Sequence, residues 1–183
     1  MFSPAEKTGQ PVPLPSETTG NPTGGFIFLL AVPSALTSHV TWALENLTAH
    51  RLTPTWQAQP QKPGYHRADI SWQGNSGGAA LIASTLRHFK DSYFEVTERR
   101  TASSDALRIM HTPELGICTL PVDLQGNFTV TEDRIRYAFE KAAGNFDELY
   151  RQFSAAVGQP WDDELEPLRP NASSASATVR LRA

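Results

Sequence analysis

Cysteine is almost missing from this chain of 183 residues. Cys118 is the single one, which excludes an internal disulfide and a thiolate metal cluster. An excess of positive charge is also missing. Sixteen Lys and Arg stand against 19 Asp and Glu, for a formal net charge of -3, so the chain lacks the basic surface that general nucleic-acid and membrane-surface binders use. Neither nucleic acid nor membrane is expected as a partner. Long apolar runs are absent as well: the longest, Phe26 to Val32, falls well short of the roughly 20 residues that cross a bilayer and reads as a buried strand. The five histidines, at 39, 50, 66, 88 and 111, form no HxxxH or HxH pair, which leaves a metal site with little support. No GxSxG elbow occurs, and no cofactor is expected. Met1 to Thr23 contains no basic stretch followed by an apolar core, so no secretory signal is read there and a cytoplasmic address is expected.

What is present describes one α+β domain. Apolar residues make up 39% of the chain, enough to fill a single core at this length. Residues 1–23 are rich in Pro, Thr, Ser and Gly, and residues 170–183 (PNASSASATVRLRA) lack apolar periodicity. Both ends are expected to be disordered, because neither offers burial that offsets its ordering entropy. Between them, in residues 24–169, a strand from Phe26 to Val32 leads to a helix with Leu36, Val40, Ala43, Leu44 and Leu47 on one face. Leu52 to Gln59 and Tyr65 to Trp72 read as a hairpin around the Pro- and Gly-bearing segment Pro60 to Gly64. In its second strand, Ala68, Ile70 and Trp72 alternate with Arg67, Asp69 and Ser71, which gives an inward and an outward face.

A second helix is marked by Ala79, Ile82, Leu86 and Phe89, and a strand follows from Tyr93 to Glu98. The order is then βαββαβ, the split, ferredoxin-like arrangement in which two helices cover one face of an antiparallel sheet. A hairpin around Thr112 to Gly116 is expected to extend that sheet. Further on, Ile135, Ala138, Phe139 and Ala142, then Phe146, Leu149, Phe153 and Val157, form two helical faces separated by Gly144. Asn145 and Glu148 have the spacing of a capping box. Trp161 to Arg169 follows Gly158 and Pro160 and reads as a short docked turn or extended piece.

Three groups of residues are candidates for chemistry or recognition. Gly74, Asn75, Ser76, Gly77 and Gly78 lie between a strand and a helix, where backbone N–H groups and a helix dipole can hold a phosphorylated ligand such as coenzyme A. The segment lacks both the Lys-Ser/Thr ending of a P-loop and the full GxGxxG spacing, and a plain turn is the competing reading. Trp161, Asp162, Asp163, Glu164 and Glu166 join one aromatic to four carboxylates. They read as a partner surface, with Trp161 as anchor and an acidic rim, as a structural latch, or as catalytic carboxylates. Cys118 sits in the apolar stretch Leu115 to Leu120, where burial makes a thiol inert.

Six motifs in order resemble an actinobacterial family catalogued as a domain of unknown function. They are Trp42-Ala43-Leu44-Glu45, YHRADISWQG (Tyr65 to Gly74), FEVTE (Phe94 to Glu98), TPELGI (Thr112 to Ile117), EDRIR (Glu132 to Arg136) and WDDELEPLR (Trp161 to Arg169). The genes of that family tend to lie near those for fatty-acid synthesis. The resemblance therefore implies a non-catalytic protein that regulates, by inhibition or otherwise, the carboxyltransferase component of an acyl-CoA carboxylase. The alternatives are a binder or enzyme for a phosphorylated ligand at the Gly-rich turn, and a structural homo-oligomer that seals an open sheet edge.

Overall fold

The computed structural model describes residues 12–13, 21–48 and 51–170. Of the two ends expected to be disordered, residues 1–11, 14–20 and 171–183 lie outside the described residues. The elements in chain order are β1 (Val12–Pro13), β2 (Pro22–Pro33), α1 (Thr37–Thr48), β3 (Gln57–Ala58), β4 (Tyr65–Asn75) and α2 (Gly78–Leu86). They continue with β5 (Tyr93–Glu98), β6 (Ala106–Thr112), β7 (Gly116–Val122), α3 (Glu132–Ala142), α4 (Phe146–Ala156) and α5 (Gln159–Leu165). A 3₁₀ turn precedes α1 and another, Glu166–Leu168, follows α5.

The sheet runs β1-β4-β2-β5-β6-β7, with β3 also paired to β4. Every pairing is antiparallel except that of β1 with β4. Within it, β5-β2-β4-β3 is the strand order of the split βαββαβ core, and the β6–β7 hairpin extends that core on the β5 side. The α+β class and the antiparallel sheet expected from the sequence are both present.

Alternation divides the sheet into two faces. Ile27, Leu29, Ile70, Trp72, Phe94 and Val96 point towards α1 and α2, which bury Val40, Leu44, Ile82 and Leu86 against them. In β2 the register shifts between Leu29 and Val32. This bulge turns Leu30 and Ala31 to the opposite face while Val32 returns to the helix side. On that opposite face Leu30, Met110 and Leu120 pack against Leu165 and Leu168 from the C-terminal segment.

One expected strand is mostly absent. Of Leu52 to Gln59 only Gln57 and Ala58 pair, opposite Arg67 and His66. Pro54 has no N–H to offer a neighbouring strand, and its carbonyl accepts instead from Trp56 N at 3.1 Å in a local turn. The buried Gln59 then turns inward: its Nε2 donates to the bulge carbonyl of Leu30 (2.5 Å) and to Leu168 O (3.0 Å). One amide thus ties the hairpin to both β2 and the 3₁₀ turn that follows α5. In the C-terminal region Asn145 caps α4, its side chain accepting from Glu148 N at 3.1 Å, and Gly158, at φ 77°, turns the chain from α4 into α5.

The tightest point of the sheet is Gly25, opposite Trp72 in register. A Cβ there would stand 1.9 Å from Thr97 O, the same carbonyl that accepts the Trp72 indole N–H at 3.1 Å. Gly25→Ala is expected to force β2 and β5 apart and to cost about 2 kcal/mol or more. The melting temperature should then fall by roughly 4 to 8 °C. Thermal unfolding followed by circular dichroism checks this, and an unchanged melt would show that the strands separate freely here.

Candidate functional site

The Gly-rich turn is divided between two surroundings. Gly74 and Asn75 end β4, Ser76 and Gly77 form the turn, and Gly78 begins α2. Glu98, 1% exposed at the end of β5, reaches the start of the helix: Oε1 accepts from Gly77 N and Oε2 from Ala79 N, each at 2.9 Å. Amides at a helix N-terminus attract an anion because they lack intrahelical acceptors and lie at the positive end of the dipole. Here the protein supplies that anion itself. The donors expected to hold a phosphorylated ligand face an internal carboxylate. The clue in the sequence is an acid at the end of the strand that follows the helix.

The C-terminal group is drawn inward. The Trp161 indole donates to Gly116 O at 2.9 Å, and its ring packs with Met110, Leu120 and Leu165. Asp162 joins a network with Glu95 on β5, Arg108 on β6 and Arg169. Arg108 grips both carboxylates in two-pronged fashion, with distances of 2.7 and 3.1 Å to Glu95 and 2.7 and 3.2 Å to Asp162. Arg169 bridges the same two acids at 3.0 and 2.6 Å. Burial by itself would push the Asp162 carboxyl up, but the hydrogen bonds and charges of Arg108 and Arg169 hold it below its ordinary range. Glu166 is exposed and pairs with Arg169 at 2.5 Å. Asp163 accepts from Gln159 at 2.7 Å, and Glu164 is half-buried. This geometry supports the latch reading of Trp161 and Asp162.

Two further groups stand in the body of the domain. Cys118 is half-buried in the same cluster as Trp161, and burial pushes its thiol up. His111 lies nearly parallel to Phe94, with ring centroids 4.7 Å apart, and its Nδ1 sits 2.9 Å from Ser92 O. Burial lowers its pKa, against a smaller opposing effect of that carbonyl. Among the described residues no group of His, Cys, Asp and Glu is placed to hold a metal ion.

The two helices α3 and α4 stand where the sequence placed them; what residue-by-residue reading missed is the exposure of their aromatic residues. The buried positions of this hairpin are small, Ala138, Ala142 and Ala156, whereas Phe139, Phe146 and Tyr150 are 58%, 76% and 67% exposed. Phe139 meets Phe153 edge-on at 5.9 Å across the two helices. Phe146, Tyr150, Phe153 and Val157 follow i, i+4, i+7, i+11 along α4, so their side chains form one stripe. Apolar periodicity picked out Phe146, Leu149, Phe153 and Val157 as a helical face and passed over Tyr150, and periodicity alone does not say whether the covering surface belongs to the same chain.

Glu98→Ala removes the acceptor of two backbone donors and is expected to cost about 2 to 4 kcal/mol, with Glu98→Gln retaining part of it. Urea unfolding of the two variants checks this. Equal stability of Glu98→Ala and the parent chain would show that water replaces the carboxylate without loss. The titrating groups make a second prediction. A depressed folded pKa means that the unfolded chain binds more protons, so stability falls on acidification. The His111 contribution is present above its ordinary value of 6.5 and is lost as the pH drops through its lowered folded value. That of Asp162 is present above 3.8 and is lost further down. Urea midpoints measured from pH 8 to 3 should therefore decline in two stages, the upper one absent in His111→Gln. An identical upper stage in that variant would remove His111 from the account.

Comparison with known proteins returns one family, described as "Protein of unknown function (DUF3145)", whose model matches residues 26–182. No curated protein and no solved structure matches the chain. The match begins at the first apolar residue of β2 and passes through both sheet layers, the helical hairpin and the C-terminal latch. The chain belongs to the DUF3145 family.

Proposed function

We propose that this protein is a non-catalytic regulator that docks a protein partner on the exposed face of the α3–α4 hairpin. The observation that carries the reading is the inverted burial of that hairpin, with alanines in its seam and Phe139, Phe146 and Tyr150 facing outward. Isolated exposed apolar residues are ordinary on protein surfaces, but a contiguous aromatic stripe is a mark of recognition. Aromatic side chains also supply much of the binding energy at protein interfaces. The occupation of the Gly77 and Ala79 amides by Glu98 favours this reading over a phosphorylated ligand held by the helix start.

The choice of partner rests on the family resemblance, with its actinobacterial members and their neighbourhood to fatty-acid synthesis genes. It points to the carboxyltransferase component of an acyl-CoA carboxylase, regulated by docking through inhibition or otherwise. The acidic residues Asp163 and Glu166 remain exposed and are the part of the C-terminal group available to steer a basic surface.

Capture of purified carboxyltransferase by the immobilised full chain tests both parts. Phe146→Ala combined with Tyr150→Ala should weaken binding by about 30-fold or more, the effect of losing 2 kcal/mol at an aromatic anchor. The melting temperature should hardly change, because both side chains are exposed. Charge reversal at Asp163 and Glu166 should act chiefly on the association rate and its salt dependence. Unaltered capture by the aromatic double variant would remove the hairpin as the docking face. Absence of any capture at micromolar concentrations would remove this partner.

A further inference from the structure

Beside the Gly-rich turn, on the side away from Glu98, lies an open groove of about 530 Å³ lined by Pro22, Thr23, Gln73, Gly74, Asn75, Arg99 and Arg100. Among the described residues that line it are two arginines and no acid. Arg99 is held in place by backbone. Its own N–H donates to Gly24 O at 2.8 Å, its Nε approaches the same carbonyl at 3.4 Å, and its carbonyl accepts from Thr23 Oγ1 at 2.6 Å. The absence of a side chain at Gly24 makes room for the guanidinium: a Cβ there would lie 2.9 Å from Nη2. Neither Arg99 nor Arg100 takes part in an ion pair among the described residues, whereas Arg108 and Arg169 each meet two or more acids. The nearest acid in sequence, Glu98, is buried and directed at the start of α2.

We propose that this groove binds a phosphate-type anion, with Arg99 and Arg100 as the charged donors and Thr23, Gln73 and the β4 end at Gly74 as its polar floor. The planar fork of a guanidinium matches two phosphate oxygens, and the backbone bonds of Arg99 fix where its side chain leaves the sheet. The site is separate from the aromatic hairpin, so either proposal can fail without the other.

The experiment is a titration of the full-length chain with inorganic pyrophosphate at low ionic strength, read by backbone amide NMR shifts. Saturable shifts are expected at Gly74, Asn75, Arg99 and Arg100, with affinity falling roughly tenfold or more in Arg99→Gln combined with Arg100→Gln. Gln73→Glu keeps the shape of the exposed side chain and places a negative charge in the groove. It should abolish the same shifts while leaving the melting temperature intact, which guards against a folding defect in the arginine variant. Tighter binding of a nucleoside diphosphate at the same residues would support a phosphate borne on a larger molecule, and equal binding a free anion. Non-saturable shifts, shifts centred elsewhere, or unchanged affinity in Gln73→Glu would overturn the assignment.

Discussion

The second layer of this protein depends on one charge-matched contact. Arg108 and Arg169 carry two positive charges into a partly covered space, and Glu95 and Asp162 balance them. Removing four charges from water is costly, and their mutual attraction offsets that cost only when geometry is good and every group is paired. The two-pronged grip of Arg108 meets this condition. It also selects a single way for the C-terminal segment to lie, because a displacement by one residue along α5 would leave an arginine facing a partly buried gap. Apolar contacts between Leu165, Leu168 and the sheet drive the docking, and the ions set its register.

The opposite face of the sheet is held differently. There α1 and α2 lie on the central strands by burying apolar side chains, and the buried carboxylate of Glu98 meets the start of α2. The two faces thus use acids in contrasting ways. Glu95 and Asp162 meet side-chain cations, whereas Glu98 meets backbone amides and the partial charge of a helix. The first arrangement draws Asp162 away from a surface on which the sequence reading placed a partner, and the second fills with Glu98 the amides at which it placed a ligand.

The legible parts of the sequence were those governed by local pattern. Alternation in β4 separates Ala68, Ile70 and Trp72 from Arg67, Asp69 and Ser71, and Asn145 with Glu148 marks the start of α4, because each signal arises within a few residues. β3 was overextended because its Thr and aromatic content favours a strand while Pro54 denies it a hydrogen bond. The fates of Asp162 and Glu98 were beyond local reading. Of the two arginines that hold Asp162, Arg108 lies 54 positions away, the amides that meet Glu98 lie 21 and 19 positions away, and no periodicity encodes these pairings. In α3 and α4 the pattern was read correctly as amphipathic, yet among the described residues most of the aromatic face stays uncovered.

The margins of the sheet bear on how this molecule can meet others. Along the outer side of β7 the chain folds back on itself: Val122 bridges Phe128, Thr129 N donates to Pro121 O at 3.0 Å, and Asp123 N donates to Asn127 O at 2.9 Å. Gly116 O at the other end of that strand is taken by Trp161. On the far margin β1 and β3 each cover part of β4. Short pieces of backbone, a proline and an indole thus leave little continuous margin on which a foreign strand could add itself in register. A sheet edge interrupted in this way offers a foreign strand only short runs of hydrogen-bonding groups, so growth of the sheet from molecule to molecule is blunted by the same short segments that finish the fold.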